Sequence, residues 1–138
     1  MLHIWESSGA ENSPETQERL IRGCEAVILV YSITSRKSFE NVKAWYDQVR
    51  SIRGGNQVPI YLVGSKCDLE AQRQVATIEA VVLAAKLRLG EPFREVSART
   101  GENVDAVFNS VVREIRRSHA ETGTQRFFKS IKRVFGGV

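Results

Sequence analysis

Lys66 and Asp68 stand two residues apart, just after the apolar run Pro59-Ile60-Tyr61-Leu62-Val63 and the glycine that ends it, Gly64. A buried strand ending in glycine delivers both side chains to its C-terminal edge, where open α/β sheets bind ligands. An ionised carboxylate there can accept two parallel hydrogen bonds. Guanine offers such a pair of donors, its ring N–H and its amino group, and adenine does not; Asp68 is therefore a candidate base reader. The stem of Lys66 can cover the face of a base while its ammonium stays hydrated. Ser65 and Leu69 flank the pair. A second stretch, Glu95-Val96-Ser97-Ala98-Arg99-Thr100-Gly101, repeats the arrangement of a short strand followed by small polar residues and would bring backbone N–H groups to the same edge. On residue types alone, two plainer readings stay open: a surface ion pair of small energetic worth for Lys66 and Asp68, and a turn ahead of a helix for Ser97 and Ala98.

These residues can act together only if the chain builds a sheet around them. Met1 to Trp5 reads as a short strand entered midway through a fold. A polar segment, Ser7 to Pro14, leads into a predicted helix from Glu15 to Arg22, and Cys24 to Tyr31 is the near-continuous apolar run of a strand covered on both faces. Thr34 or Ser35 can cap the next helix, whose Phe39, Val42, Tyr46 and Val49 share one face, and Gly54-Gly55-Asn56 stops it. After the strand Pro59 to Gly64, Thr77 is expected to cap an alanine-rich helix ending at Leu89-Gly90. A short strand, Phe93 to Val96, precedes a last helix from Val104 to Arg117 with an apolar stripe of Val104, Val107, Phe108, Val111 and Ile115. This order of elements implies a parallel sheet with right-handed crossovers. Trp5, Trp45 and Tyr46 are expected in packing, and His3 and His119 as structural or solvated residues.

With 138 residues the chain suits one core, and its 42% apolar and 26% charged residues are those of an ordinary globular protein. No apolar run approaches the ~20 residues needed to cross a bilayer, and no basic region with an apolar stretch opens the chain, so the expected location is cytoplasmic. Cys24 and Cys67 have no metal-site or disulfide spacing. The net charge of +4 is concentrated: from Arg116 onward there are six Lys and Arg against one acid, Glu121. Elsewhere both signs alternate, without the interleaved basic and aromatic residues of a base-stacking surface, so no nucleic-acid partner is expected.

The two site stretches resemble the guanine-recognition elements of the Ras-like small GTPases, NKxD matched by Ser65-Lys66-Cys67-Asp68 and SAK by Ser97-Ala98-Arg99. Trp5-Glu6-Ser7-Ser8-Gly9-Ala10-Glu11 is similar to the family's WDTAGQE, and Val30-Tyr31-Ser32-Ile33 through Ser38-Phe39-Glu40-Asn41-Val42 matches a fourth block. The resemblance implies an α/β fold, a three-layer, mostly parallel sheet of Ras-like G-domain type, lacking the first strands and first helix. It implies guanine binding by Ser65, Lys66, Asp68, Leu69, Ser97, Ala98 and Arg99, a γ-phosphate and switch role for Gly9, and GTP or GDP with Mg²⁺ as ligands. The implied function is a signalling switch that hydrolyses GTP to GDP, works as a monomer and is read by protein effectors or regulators.

Several positions depart from the family pattern. No GxxxxGK[ST] phosphate loop occurs in the sequence, and the chain opens inside the WDTAGQE strand, so an incomplete, impaired domain over residues 1–117 is expected. In the family's sheet the first strand lies between the strands matching Met1 to Trp5 and Ala26 to Tyr31, and the gap this leaves is expected to mean a partial product of a longer gene, a foreign strand in the gap, or poor folding. Glu6 replaces an Asp that organises Mg²⁺, and its extra methylene shifts the carboxylate beyond what tight octahedral geometry readily allows. Ala10 replaces the Gln that positions the attacking water, so no residue has a catalytic role. Ser65 replaces an Asn and offers fewer hydrogen bonds. The competing reading is a catalytically inactive pseudo-GTPase or interaction module.

Residues 118–138 form a basic amphipathic tail. At about 100° per residue, Phe127, Phe128, Ile131, Val134 and Phe135 fall within a sector of about 120° on a helical wheel, opposite Arg126, Lys129, Lys132 and Arg133. The expectation is a helix lying on an anionic membrane surface, peripheral on the cytoplasmic face.

Overall fold

The computed structural model describes residues 2–7, 13–55, 57–122 and 129–135. In chain order the elements are β1 (Leu2–Ser7), α1 (Pro14–Gly23), β2 (Ala26–Ser32), α2 (Arg36–Glu40), α3 (Val42–Arg53), β3 (Ile60–Ser65), a short 3₁₀ turn (Glu70–Gln72), α4 (Thr77–Lys86), β4 (Gly90–Glu95), α5 (Val104–Thr122) and β5 (Lys129–Phe135). The five strands form one sheet in the order β1-β5-β2-β3-β4, with every pairing parallel.

Alternation along β2 explains the layers. Val27, Leu29 and Tyr31 face a core built with Ile21 of α1, Val42 and Val49 of α3, and Ala80 and Ala84 of α4. Ala26, Ile28 and Val30 face the other side, against Val107, Val111 and Ile115 of α5. All seven residues of β2 are buried, as its continuous apolar run requires; each large aliphatic side chain among them contributes about 1.5–3 kcal/mol. Helices α1 to α4 lie on one face because β1, β2, β3 and β4 advance in one direction across the sheet. The return from β4 to β5 runs the other way, so a right-handed crossover carries α5 over the opposite face. His119 near the end of α5 pairs with Glu25, just ahead of β2.

Local chemistry accounts for the helix ends. Ser13 caps α1 by accepting from the Thr16 N–H at 3.3 Å, and Ser35, of the two candidates, caps α2 by accepting from Ser38. The single helix expected beyond Ser35 divides at Asn41, whose backbone stays in the right-handed helical region, so the apolar stripe from Phe39 to Val49 continues across the break. Thr77 is the first residue of α4 and not its cap: the Ala76 N–H is satisfied by Glu79 at 2.9 Å, and the Thr77 hydroxyl donates to Glu95 instead. Arg36 grips the same Glu79 with two nitrogens at 2.7 and 3.0 Å and holds its carboxyl down at about 2.

Three expectations change. Trp5, expected in packing, is 52% exposed on β1. The boundary drawn after residue 117 falls inside α5, and where an amphipathic helix was expected residues 129–135 are an inner strand of the sheet. The physical reason is the gap itself: β5 pairs β1 on one side and β2 on the other, satisfying backbone groups along both edges. An isolated helix of about ten residues has no comparable gain.

Gly64 marks a close approach. A Cβ there would sit 2.8 Å from the Tyr31 hydroxyl oxygen, 3.0 Å from the ring and 3.2 Å from Glu95 Cγ. Tyr31 is 1% exposed and fixed between Phe39 and Phe93, so it cannot give way. Gly64→Ala is expected to lower stability by about 1–3 kcal/mol through overpacking; an unchanged urea midpoint would show that Tyr31 is not held.

Candidate functional site

The loop after β3 leads to α4 on one face, and the loop after β4 leads to α5 on the other. Their divergence opens a crevice at the C-terminal edge between these strands, the topological position at which open parallel sheets bind ligands. A cavity of about 690 Å³ occupies it. Ser65, Lys66, Asp68, Leu69, Ala98 and Arg99 line its polar end with Gly101 and Asp105, and Ile28, Val30, Val63, Val96, Val107 and Phe108 give it an apolar floor. Two stretches about thirty residues apart in sequence thus meet at one site.

Backbone bonds hold the two loops in register. The Val96 N–H donates to Gly64 O at 2.7 Å, and the Cys67 N–H donates to Val96 O at 3.1 Å. Lys66 takes a left-handed backbone, φ +63°, which turns the chain so that the Leu69 N–H closes on Lys66 O at 2.9 Å. Ser97 does not line the cavity. It lies beneath, fully buried, and its hydroxyl donates to Asp68 Oδ1 at 2.8 Å while accepting from the Thr100 N–H at 3.1 Å. A carboxylate has about four acceptor sites; the Ser97 bond fixes the orientation of Asp68 and leaves capacity for a ligand's donors. The Ser65 hydroxyl donates to Tyr31 O at 2.9 Å, so its proton braces β3 against β2.

Behind the crevice lies a charged brace that sequence reading did not find. Arg73 donates to both carboxylate oxygens of Glu95 at 2.8 Å each, and to Glu70. Thr77 adds a third bond to Glu95 at 2.9 Å. The Arg73 guanidinium holds the Glu95 carboxyl below the usual carboxylate range, and Glu95 in turn raises Arg73. The contact ties the loop after β3 to the end of β4. No periodicity could reveal it, because the partners meet only once the strands are paired. Burial pushes the buried Tyr31 phenol beside this brace upward. Burial and Glu102 likewise push up the Cys67 thiol, a free cysteine.

Other expected residues are not brought to the crevice. Glu6 lies on β1 level with Arg133, itself level with Ile28, which precedes by four residues the Ser32 that pairs with Ser65. Glu6 is exposed, and among the described residues no three His, Cys, Asp or Glu come together in a way that could hold a metal ion. One exposed carboxylate does not fit an octahedral Mg²⁺ site. Gly9 and Ala10 lie outside the described residues, as do Arg126, Phe127 and Phe128; Lys129, Ile131, Lys132, Arg133 and Phe135 belong to β5.

A carboxylate with a lowered native pKa adds stability that is complete above its unfolded value, 4.5, and is lost as pH falls through the native one. Glu95→Gln is therefore expected to cost about 2 kcal/mol near neutral pH, where charged hydrogen bonds are lost. It should also flatten the fall of stability below pH 4.5. Urea titrations at pH 7 and pH 3.5 check both; an unchanged acid profile would mean that the brace does not carry the dependence.

The comparisons agree with this geometry. The family model described as Ras family matches residues 1–117. The chain is 38% identical over 120 residues to the Ras-related protein SEC4 of Candida albicans, covering 87% of this chain and 56% of that protein. It is 40% identical over 117 residues to the Ras-like protein rasZ of Dictyostelium discoideum, covering 85% and 54% respectively. A further Dictyostelium discoideum relative, the Ras-like protein rasX, is 38% identical over 119 residues, covering 86% and 55%. The chain thus spans a little over half the length of the curated relatives it matches. A parallel sheet with helices on both faces, a crevice holding Lys66, Asp68 and Arg99 at its C-terminal edge, and a family match over residues 1–117 together establish that this chain belongs to the Ras family.

Proposed function

We propose that this chain is the guanine-recognising part of a small GTPase, with Asp68 as the base reader. The observation that supports this most is the pairing of Ser97 with Asp68 at 2.8 Å inside a crevice lined by Ser65, Lys66, Leu69, Ala98 and Arg99. A carboxylate held from below presents its remaining acceptors to two donors on one edge of a base. Lys66, exposed at the rim, covers the face of the base, and Arg99 closes the far side. Phosphates contribute little here, because the sequence has no GxxxxGK[ST] to cradle them. Full-family GTP hydrolysis, the ordering of a switch around Gly9 and recognition by protein effectors or regulators belong to this reading as proposals.

Titration of the full chain with guanosine, GTP and adenosine tests it. Guanosine and GTP should bind with similar, weak affinity, in the micromolar range or above, and adenosine more weakly still. Asp68→Asn places a donor against the base's own donors and should erase the preference for guanosine. Ser97→Ala should weaken guanosine about tenfold, on the order of 1.4 kcal/mol. Equal binding of guanosine and adenosine to the unsubstituted chain would overturn the assignment.

The second reading, an interaction module that has lost turnover, is favoured by one observation: β5 stands in the inner position of the sheet, between β1 and β2. For location, the reading remains a cytoplasmic monomer held peripherally on anionic membranes through Arg126 to Phe135, a state that requires residues 129–135 to leave the sheet. Sedimentation of the full chain with vesicles rich in phosphatidylserine, at low and high salt, decides this; absence of low-salt binding would leave the tail as a structural strand alone.

A further inference from the structure

Helix α4 is apolar on two faces and covered on one. Ala80 and Ala84 belong to the core beneath it, where α4 packs on β3 and β4. Ile78, Val81, Val82 and Ala85 stand at i, i+3, i+4 and i+7 and so share a second face, and all four are exposed, Ile78 by 65% and the two valines by 41% and 43%. The outer stripe of a solvated helix is ordinarily polar, and a helix apolar all round is one that its surroundings cover. Ile and Val are also poor choices for exposed helical positions, because branching at Cβ restricts the side chain against the preceding turn. Single exposed apolar residues call for no explanation, but a contiguous patch marks an interaction site.

Beside this stripe a groove of about 380 Å³ lies between α4 and Phe39 of α2, lined by Ile78, Glu79, Val82, Leu83 and Lys86. From Ile78 to Lys86 the helix advances about 12 Å, a little over two turns, the reach of a short helix laid alongside. The acid of the groove is committed: both Glu79 oxygens accept from Arg36, and one also accepts from the Ala76 N–H. Lys86 forms no ion pair with any described residue, so the groove offers one uncommitted positive charge at the C-terminal end of α4. That charge calls for a carboxylate. A second copy of this chain fits less well, since antiparallel α4 helices would bring Lys86 to a Glu79 whose oxygens are taken, and parallel ones would set Lys86 against its own counterpart.

We propose that the groove of α4 and Phe39 is a docking site for an amphipathic helix of a partner protein, with large aliphatic residues on one face and a carboxylate at the end that meets Lys86. The mode is helix in groove: apolar anchors at i, i+3, i+4 and i+7 supply the affinity by covering Ile78, Val81 and Val82, and the carboxylate fixes the direction of the helix. The proposal does not depend on what the crevice binds. The two sites share no lining residue.

The test uses the full chain and two fluorescent synthetic peptides of about twenty residues, long enough for an alanine-based helix. Both carry leucines at i, i+3, i+4 and i+7; one begins with two glutamates, the other with two lysines. At low salt the acidic peptide should bind the unsubstituted chain about fivefold more tightly than the basic one, and Lys86→Glu should reverse that order. Val82→Lys and, separately, Val81→Lys, both at exposed helical positions, should leave the urea midpoint in place and abolish binding of either peptide. Absence of binding, an order of the two peptides that Lys86→Glu leaves unchanged, or binding that survives both valine substitutions would overturn the proposal. So would a dimer in sedimentation that Val82→Lys dissolves, which would give this face to a second copy, or vesicle binding lost in the same variant, which would give it to a membrane.

Discussion

The requirement that β2 be paired along both edges underlies everything else in the molecule. All seven of its residues are buried, so water cannot satisfy its N–H and C=O groups. One edge is met by β3 from Val27 to Ser32, the other by β5 from Ala26 to Val30. With both edges met, alternate residues of β2 nucleate the two cores, one with α1, α3 and α4 and the other with α5. Without the second partner the sheet would end at β2, and β1 would have no attachment along its length.

The crevice inherits its position from that arrangement. Because α4 and α5 cover opposite faces, the loops that follow β3 and β4 part, and a cavity opens between them. Packing alone would leave its rim loose. Ser97 pins Asp68 from inside, Val96 and Cys67 stitch the loops by backbone bonds, and Arg73 clamps Glu95 with two parallel bonds. Exposed polar residues that could read a ligand therefore rest on a buried polar scaffold, and it is the scaffold that limits where Asp68 can point. Gly64 belongs to the same scaffold, since its missing side chain is what lets Tyr31 and Glu95 lie against the strand.

Within the Ras family the chain has a crevice at the C-terminal edge of β3 and β4, and its sheet is closed by a segment from its own C-terminal side. The crevice rests on the pairing of β3 with β4, and the closure on the pairing of β5 with β1 and β2. Both follow from one parallel sheet and share β2, since Ile28 and Val30 line the cavity and lie in the stretch that pairs with β5.

The sequence by itself determined the elements whose information is local. The apolar run of β2 announces a strand buried on both faces, the stripe of Val107, Val111 and Ile115 announces a helix packed on a sheet, and the strand, glycine, Lys66 and Asp68 order announces a ligand edge. Ser97 and Asp68 were legible as partners in one site for the same reason, since each follows its own strand. Tertiary structure alone decided what depends on groups far apart in the chain. Arg73 and Glu95 meet because β3 and β4 pair. Ala76 stands at the N-cap of α4 with its N–H donating to Glu79, which Arg36 also grips, while Thr77 is drawn to Glu95. Above all, residues 129–135 have a helical wheel as amphipathic as many surface helices, yet they form a strand. A segment so short gains little from local hydrogen bonding, and two unpaired edges of a buried sheet offer it backbone partners on both sides.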